Sequence, residues 1–185
     1  MVVEIHDSTA DNIAAITAIY AHWVQEGLAS FELTPPAPAE IDKRRRNVLA
    51  AGFPYLVAQD ENREVVGFAY ADWYRTRPAY RFTCEDSVYV APAALGRGTG
   101  KRLLATLIER CTALHMRLMV AVIGDSANRA SLSLHRRAGF ETVGVLRNIG
   151  WKQGRWVDSV LMTRRLGSGG DAPPHEHGRL LESGK

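Results

Sequence analysis

Cysteine, long apolar runs and charge of one sign are all scarce in this chain. The 185 residues include two cysteines, Cys84 and Cys111, whose positions do not form a disulfide framework and indicate a reducing compartment. No uninterrupted apolar run approaches the roughly 20 residues that span a bilayer, and the first residues lack the pattern of a signal peptide. We therefore expect a cytoplasmic protein that does not bind a membrane.

The charges are nearly balanced. The 23 Lys and Arg and 20 Asp and Glu give a formal net charge of +3, with both signs spread along the chain. A nucleic-acid-binding protein would need a clustered basic face, so we expect no nucleic-acid partner. We also expect no bound metal. Because 46% of the residues are apolar, we expect one core and a single domain over residues 1–166. Residues 167–185 have little apolar content, and we expect a disordered tail.

Apolar spacing predicts a mixed α/β (α+β) chain. Strands are predicted at residues 2–5, 55–58, 65–71, 81–90, 118–123, 141–146 and 157–165. Helices are predicted around residues 13–24, at 39–51, from the glycine cluster to residue 114, and before Gly139. The run 118–123 is apolar throughout, which is typical of a strand covered on both sides. Residues 150–156 are predicted to be a tight connection between the last two strands.

A glycine-rich segment connects the strand at 81–90 to the following helix. It contains, in order, Leu95, Gly96, Arg97, Gly98, Thr99, Gly100 and Lys101. Glycines at such a turn let backbone N–H groups and the positive end of a helix dipole approach a pyrophosphate. A Walker loop is excluded by its spacing. It needs four residues between its first glycine and the Gly-Lys pair, whereas three separate Gly96 from Gly100. It also needs Ser or Thr after the lysine, whereas Arg102 follows Lys101. The dinucleotide fingerprint is also excluded, since Lys101 occupies the place of its third glycine.

This segment resembles the acetyl-CoA pyrophosphate loop of the GNAT superfamily of N-acetyltransferases, except that Leu95 replaces a polar residue. Three further segments narrow the resemblance to the phosphinothricin and methionine sulfoximine N-acetyltransferases: Phe31-Glu32, the residues EDSVYV at 85–90, and the stretch 121–140 from AVIG through Asn128 to LHRRAGF. The resemblance covers residues 2–166. It implies a GNAT-type mixed, mostly antiparallel central sheet with helices on both faces, acetyl-CoA as cosubstrate, and a homodimer.

The resemblance also implies which residues hold acetyl-CoA. They come from the end of the central strand, the glycine loop and a helix start: Val88, Tyr89, Val90, Leu95, Gly96, Arg97, Gly98, Thr99, Gly100, Lys101 and Asn128. We expect Asn128 to cap its helix as well.

Acetyl transfer to an amine requires proton removal, because an α-amino group with a pKa of about 7.7–8.0 is largely protonated at neutral pH. Glu85 is the expected base, and strand alternation places it on one face with Ser87, opposite Cys84. A covalent route through Cys84 is therefore disfavoured. His135 stands where many relatives have a tyrosine that can protonate the CoA thiolate. A helical histidine without a chemical role is the alternative.

An acceptor with a carboxylate requires fixed cations, which Arg75 and Arg77 could supply upstream of Glu85. Lys152, together with Arg155, could hold a phosphinate or sulfoximine group, and solvated loop charges are the alternative. The expected acceptor residues are Phe31, Glu32, Arg75, Thr76, Arg77, Glu85, Asp86, Ser87 and Lys152.

Two rival functions remain: a CoA-binding or acyl-CoA-sensing module without catalysis, and an N-acetyltransferase for another amine or a protein N-terminus.

Overall fold

The computed structural model describes residues 2–174 and has a mixed α/β fold, as expected. The strands are β1 (Glu4–Asp7), β2 (Tyr55–Gln59), β3 (Val65–Trp73), β4 (Thr83–Val90), β5 (Leu118–Gly124), β6 (Glu141–Lys152) and β7 (Arg155–Arg165). The α-helices are α1 (Ile13–Glu26), α2 (Pro38–Ala50), α3 (Thr99–Ala113) and α4 (Arg129–Arg137). No helix within this range is long and apolar enough to cross a membrane.

The strands form one sheet in the order β1-β2-β3-β4-β5-β7-β6. In residues 2–174 only β4 and β5 pair in parallel, and every other neighbouring pair is antiparallel. This arrangement confirms the expected mixed, mostly antiparallel sheet. The parallel pair lies at its centre, where α3 provides the crossover that parallel strands need.

Helices cover both faces of the sheet, as expected. On β4 the ring of Tyr89 meets Tyr20 of α1 at 5.0 Å between centroids. Asp86, which alternation places on the opposite face, contacts α4. The core of that second face includes Leu103, Leu104 and Leu107 of α3, all fully buried. Each residue of β4 therefore belongs to one of two differently lined faces.

Two expected elements differ in the structure. Residues 150–156 are not a separate connection, because β6 and β7 continue to a two-residue turn at Gln153 and Gly154, with φ of 50° and 71°. Such a turn needs two left-handed residues, and glutamine is an unusual signal for one of them. Val122 of β5 is 40% exposed, so this strand is not covered along its whole length. It lies just beyond Ala121, the last residue of β5 that pairs with β4.

The chain continues beyond β7 in turns. The N–H of Leu166, which is buried, donates to the Arg117 carbonyl at 3.0 Å. The Arg117 guanidinium donates in turn to the Pro173 carbonyl at 3.2 Å. These bonds attach residues 167–174 to the start of β5. The rest of the expected tail, residues 175–185, lies outside the described residues.

Candidate active site

The two central strands part halfway along their length. β4 pairs with β5 only from Thr83 to Asp86, whose partner is Ala121. Beyond that point β4 follows β3 to Val90, while β5 follows β7 to Gly124. The diverging strands leave a fork, by which we mean the space between residues 87–90 of β4 and 122–124 of β5.

Backbone polar groups of β4 face this fork. The N–H of Ala91 donates to Val66 of β3 at 2.9 Å. The backbone N–H groups of successive strand residues point to opposite sides of the strand. Because the Ala91 N–H points towards β3, the N–H groups of Val88 and Val90 point away from β3 and into the fork. The carbonyl of Val90 also points away from β3, because it accepts a hydrogen bond from the Trp23 indole at 2.9 Å rather than from β3. An extended polar chain lying in the fork would therefore meet unused strand donors.

The glycine loop lies beside the fork. Gly96 and Gly98 have φ of 71° and 84°, in the left-handed region that favours glycine, and Gly98 caps α3. A Cβ on either would meet no heavy atom within 4 Å. A Cβ on Gly100 would lie 3.5 Å from the Val90 side chain, so the start of α3 adjoins β4. Its first N–H groups have no intrahelical partner and carry the positive end of the dipole, which suits a pyrophosphate.

The remaining residues expected at the cosubstrate differ in exposure. Leu95, Arg97 and Lys101 are exposed around the loop, whereas Thr99 is buried and its hydroxyl has no hydrogen-bond partner among the described residues. Asn128 caps α4, as expected, by accepting from the Ser131 N–H at 3.1 Å. The contacts of these residues with acetyl-CoA stay predictions.

Glu85 is a half-buried carboxyl near the closed end of the fork. Within residues 2–174 it has no hydrogen-bond or ion-pair partner, although its neighbours are charged. Burial, which is the largest cause, and the charges of Asp86 and Asp72 together raise the pKa of Glu85 to about 7, against the opposing charge of Arg75. A carboxyl with a pKa near neutrality and a free acceptor oxygen has the properties of a general base.

Asp72 adjoins this base and was not expected from the sequence. It lies directly opposite Glu85 in the β3–β4 register. Burial raises the pKa of Asp72, opposed by a hydrogen bond from the Trp73 N–H at 2.7 Å. Ser87, an expected acceptor residue, lies opposite Tyr70 on the same face. Only the register between β3 and β4 brings Asp72 beside Glu85, so composition and spacing carry no signal for Asp72.

Asp86 differs from the expectation, because it lies on the opposite face of β4 from Glu85. Its Oδ2 is 3.0 Å from Nε2 of His135, while Nδ1 of His135 is 2.8 Å from the Ser131 carbonyl. Both side chains are almost fully buried. Burial disfavours the charged imidazolium, yet the Asp86 hydrogen bond and charge, helped by Ser131, raise the pKa of His135 above its usual value. Both ring nitrogens of His135 therefore have partners. His135 could protonate a thiolate only if its hydrogen bond to Asp86 were broken.

The expected cations are placed differently from one another. Arg75 is exposed, with its guanidinium 4.4 Å from the Tyr74 ring centroid, and its charge reaches Glu85. Thr76 and Arg77 are exposed in the same loop. The ammonium of Lys152, by contrast, is buried and donates to the Ser30 carbonyl at 2.6 Å. It therefore already has a partner on the α1–α2 loop.

Arg155 and the rest of the α1–α2 loop complete this region. Arg155 pairs with Asp125 at 2.9 Å, so the second expected anion clamp has both its cations engaged. Glu32 accepts from the Tyr20 hydroxyl at 2.9 Å and pairs with Arg44 at 2.5 Å. The ring of Phe31 would lie 2.6 Å from a Cβ on Gly150, which explains the glycine in β6.

Cys84 is fully buried on the Asp86 face, and its thiol lies 3.7 Å from the Leu118 carbonyl. A hydrogen bond with Cys111 and burial raise the pKa of Cys84 well above its usual value. A neutral thiol on the far side of β4 from Glu85 is a poor nucleophile for this site. No group of three metal-ligating side chains comes together in the described part of the chain.

The fork, the glycine loop and the lone carboxyl describe a site for transfer from an extended, pyrophosphate-bearing donor. The chain belongs to the acetyltransferase (GNAT) family, whose model matches residues 16–140. It is 53% identical to a phosphinothricin N-acetyltransferase from Alcaligenes faecalis over 164 residues, covering 89% of this chain and 83% of that one. It is 40% identical to an L-methionine sulfoximine/L-methionine sulfone acetyltransferase from Pseudomonas aeruginosa, covering 94% of this chain and 100% of the other.

A solved structure agrees with these relationships. The crystal structure of a GNAT superfamily phosphinothricin acetyltransferase from Sinorhizobium meliloti, in complex with AcCoA, matches with a TM-score of 0.96 and 44% identity. The match covers 99% of this chain and 100% of that chain. The fold is therefore that of the family over almost the whole chain.

Proposed function

We propose that this protein is an acetyl-CoA-dependent N-acetyltransferase that acetylates the α-amino group of a small amino-acid-like acceptor. The observation that carries the proposal is Glu85, a half-buried carboxyl without a partner among the described residues, whose pKa is raised to about 7. Such a group takes a proton from an ammonium at neutral pH. Its position at the closed end of the fork supports its use as the base.

The chain offers fitting contacts for the cosubstrate. The glycine loop and the first N–H groups of α3 would hold the pyrophosphate, and the backbone of Val88 and Val90 would hold the pantetheine arm. When bound, acetyl-CoA would supply the thioester: the free amine would form the new C–N bond, the C–S bond would break, and CoA would leave as the thiol with the proton that the attacking nitrogen gives up. Glu85 removes the proton of the acceptor ammonium, and Arg75 holds the acceptor carboxylate on the same side. Direct attack needs no acyl-enzyme, in keeping with the burial of Cys84.

A thiol-release assay tests this function. Purified protein and acetyl-CoA are incubated with free amino acids, L-methionine sulfoximine, L-methionine sulfone and phosphinothricin, and the products are identified by mass spectrometry. We expect stoichiometric thiol release and N-acetylated product with at least one amino acid analogue. Tight acetyl-CoA binding without thiol release would instead favour the sensing module. Activity restricted to peptide N-termini would contradict the proposed acceptor.

The proposed enzyme is a cytoplasmic homodimer. β6 is an edge strand, and the β6–β7 region exposes large apolar side chains between 39% and 60%: Val143, Val145, Leu146, Ile149, Trp151 and Trp156. Apolar patches of this kind commonly mark protein interfaces. Light scattering should give twice the chain mass of 20.4 kDa, and Trp151→Glu should yield monomer. A monomeric wild-type protein would contradict the dimer.

The free, buried thiols of Cys84 and Cys111 fit a reducing compartment, which supports the proposed cytoplasmic location.

A further inference from the structure

Helix α1 presents two aromatic side chains to the end of β4. Tyr20 and Trp23 lie three residues apart in the helix, so they share one of its faces. The ring of Tyr20 contacts the ring of Tyr89 at 5.0 Å between centroids. The indole N–H of Trp23, which is partly buried against the core, donates to the Val90 carbonyl at 2.9 Å. Helix α1 therefore contacts the backbone of β4 as well as its side chains.

The bond to Trp23 lies where β4 has lost its second neighbouring strand, because β5 pairs with β4 only as far as Asp86. The peptide unit that joins Val90 to Ala91 is held at both ends. Its N–H donates to the Val66 carbonyl of β3 at 2.9 Å, and its carbonyl accepts from Trp23 on the fork side. A side chain of α1 therefore supplies, at this point, the hydrogen bond that a neighbouring strand would otherwise make.

The Trp23 ring is held in place at the end of α1. A Cβ on Gly27, where the helix ends, would lie 2.9 Å from Cε3 of Trp23 and 2.9 Å from the Trp23 carbonyl oxygen. The φ of Gly27 is −112° in extended backbone, which any residue adopts, so close packing against Trp23 explains this glycine. The last turn of α1 is also attached to the β6–β7 turn, since Gln153 donates to the Gln25 carbonyl at 3.0 Å.

The backbone of Val90 has a further role at the proposed cosubstrate site. The Val90 side chain would lie 3.5 Å from a Cβ on Gly100, so the residue adjoins the start of α3 and the glycine loop. Its N–H points into the fork, along the same edge of β4 as the carbonyl that Trp23 holds. A donor whose direction is already fixed loses less conformational freedom when a ligand binds, so fixing it favours binding.

We propose that Trp23 is a positioning residue for the cosubstrate: its indole fixes the Val90 backbone so that the Val90 N–H meets the pantetheine arm. The inference rests on the proposed acetyltransferase function and adds to it a residue outside the glycine loop. Trp23 acts through Val90 and takes no part in the proton transfer at Glu85. Its loss weakens the binding of acetyl-CoA and leaves turnover at saturation unchanged.

The variant Trp23→Phe tests this role, because phenylalanine keeps an aromatic ring but has no N–H to donate. The Kd of CoA, measured by calorimetry, and the KM for acetyl-CoA should each rise about five- to tenfold, as expected for the loss of one hydrogen bond. The kcat with a saturating acceptor should stay the same. A rise in KM without a change in kcat distinguishes positioning of the cosubstrate from damage to the whole site.

A truncated ligand locates the effect within the cosubstrate. Adenosine 3′,5′-bisphosphate carries the nucleotide of CoA without the pantetheine arm, so its Kd should be the same in the wild type and in Trp23→Phe. Thr17→Val is the matched control. It is isosteric and removes a side-chain hydrogen bond to the Ile13 carbonyl at 2.7 Å, within α1 and away from β4. The CoA affinity of this control should equal that of the wild type.

A second variant displaces the indole instead of removing it. The Cβ of Gly27→Ala would press on the Trp23 ring, so this variant should also raise the Kd of CoA and leave that of the bisphosphate unchanged. Should Trp23→Phe fail to fold, Gly27→Ala decides alone.

The outcomes separate this inference from the function on which it rests. Equal CoA affinity in the wild type and Trp23→Phe, or equal losses for CoA and the bisphosphate, would overturn the role of Trp23 and leave the acetyltransferase function intact. Absence of acetylation with every amino acid analogue would refute the acetyltransferase function, whereas the CoA titrations would still decide the role of Trp23.

Discussion

Adjacent carboxylates on β4 have opposite surroundings. Glu85 faces the α1–α2 side without a partner among the described residues, whereas Asp86 faces α4 and bonds to His135 at 3.0 Å. A hydrogen bond to a buried carboxylate stabilises the folded protein. Burial without a partner instead favours the neutral form of the carboxyl and raises its pKa. Oδ1 of Asp86 has no hydrogen-bond partner among the described residues, but His135 holds its Oδ2. The comparison therefore assigns the chemistry to Glu85, which has no partner on either oxygen within residues 2–174, and the structural role to Asp86.

The largest expected effect is on turnover. Glu85→Gln keeps the shape of the side chain but cannot take a proton, so kcat should fall about 10²–10⁴-fold. Acetyl-CoA affinity, measured by calorimetry, should stay the same because the glycine loop is unchanged. A turnover within a few-fold of the wild type would break the comparison at its catalytic side.

The second prediction tests the paired side. Asp86→Ala leaves His135 buried with an unpaired ring nitrogen, so the free energy of unfolding should fall by about 3–5 kcal/mol. Urea denaturation measures this loss. The control is Asp42→Ala, which breaks an exposed ion pair with Arg46 and should change stability by less than about 1 kcal/mol. Equal losses in both variants would show that the buried pair has no special structural role.

The third prediction has the opposite sign. The folded protein holds the pKa of Glu85 near 7, above the ordinary value of 4.5. Its stability therefore declines as pH rises from the lower value through the higher one. Glu85→Gln removes this dependence and should be more stable than the wild type at pH 8, by about 2–3 kcal/mol, but not at pH 4. Thermal unfolding at the two pH values would contradict this if the difference were absent or reversed.

The smallest expected effect concerns another residue on the Asp86 face. Cys84→Ala removes one buried sulfur beside Cys111 and should lower the free energy of unfolding by about 1 kcal/mol. Turnover per folded molecule should be unchanged, since the thiol faces away from Glu85. Complete loss of acetyl transfer in a folded Cys84→Ala protein would restore a covalent route.

The sequence predicts local structure better than it predicts the neighbours of each site residue. The Gly96–Gly100 segment and the Asn128 cap are readable because left-handed turns and helix caps require particular residue types. Alternation correctly separates Glu85 from Cys84, but it gives no partner for Asp86, which depends on where α4 packs. Asp72 is missed because its position beside Glu85 depends on the register between two strands.

The extent of side-chain pairing was also not predictable. Lys152 has the spacing of a loop cation, and only the packing of the α1–α2 loop against β6 brings its ammonium to the Ser30 carbonyl. The turn at Gln153 and Gly154 likewise lacks the asparagine-glycine signal that would have identified a long hairpin. Long-range contacts therefore determine which charges remain available for a ligand.

The pH dependence of kcat/KM, measured with one acceptor for the wild type and Glu85→Gln, tests the central claim most directly. If Glu85 is the base, the wild-type profile should include a rise with an apparent pKa near 7, where its carboxyl ionises. The variant should lose this step and reach its optimum at higher pH, where the amine deprotonates without help. Superimposable profiles would contradict the assignment of Glu85 as the base.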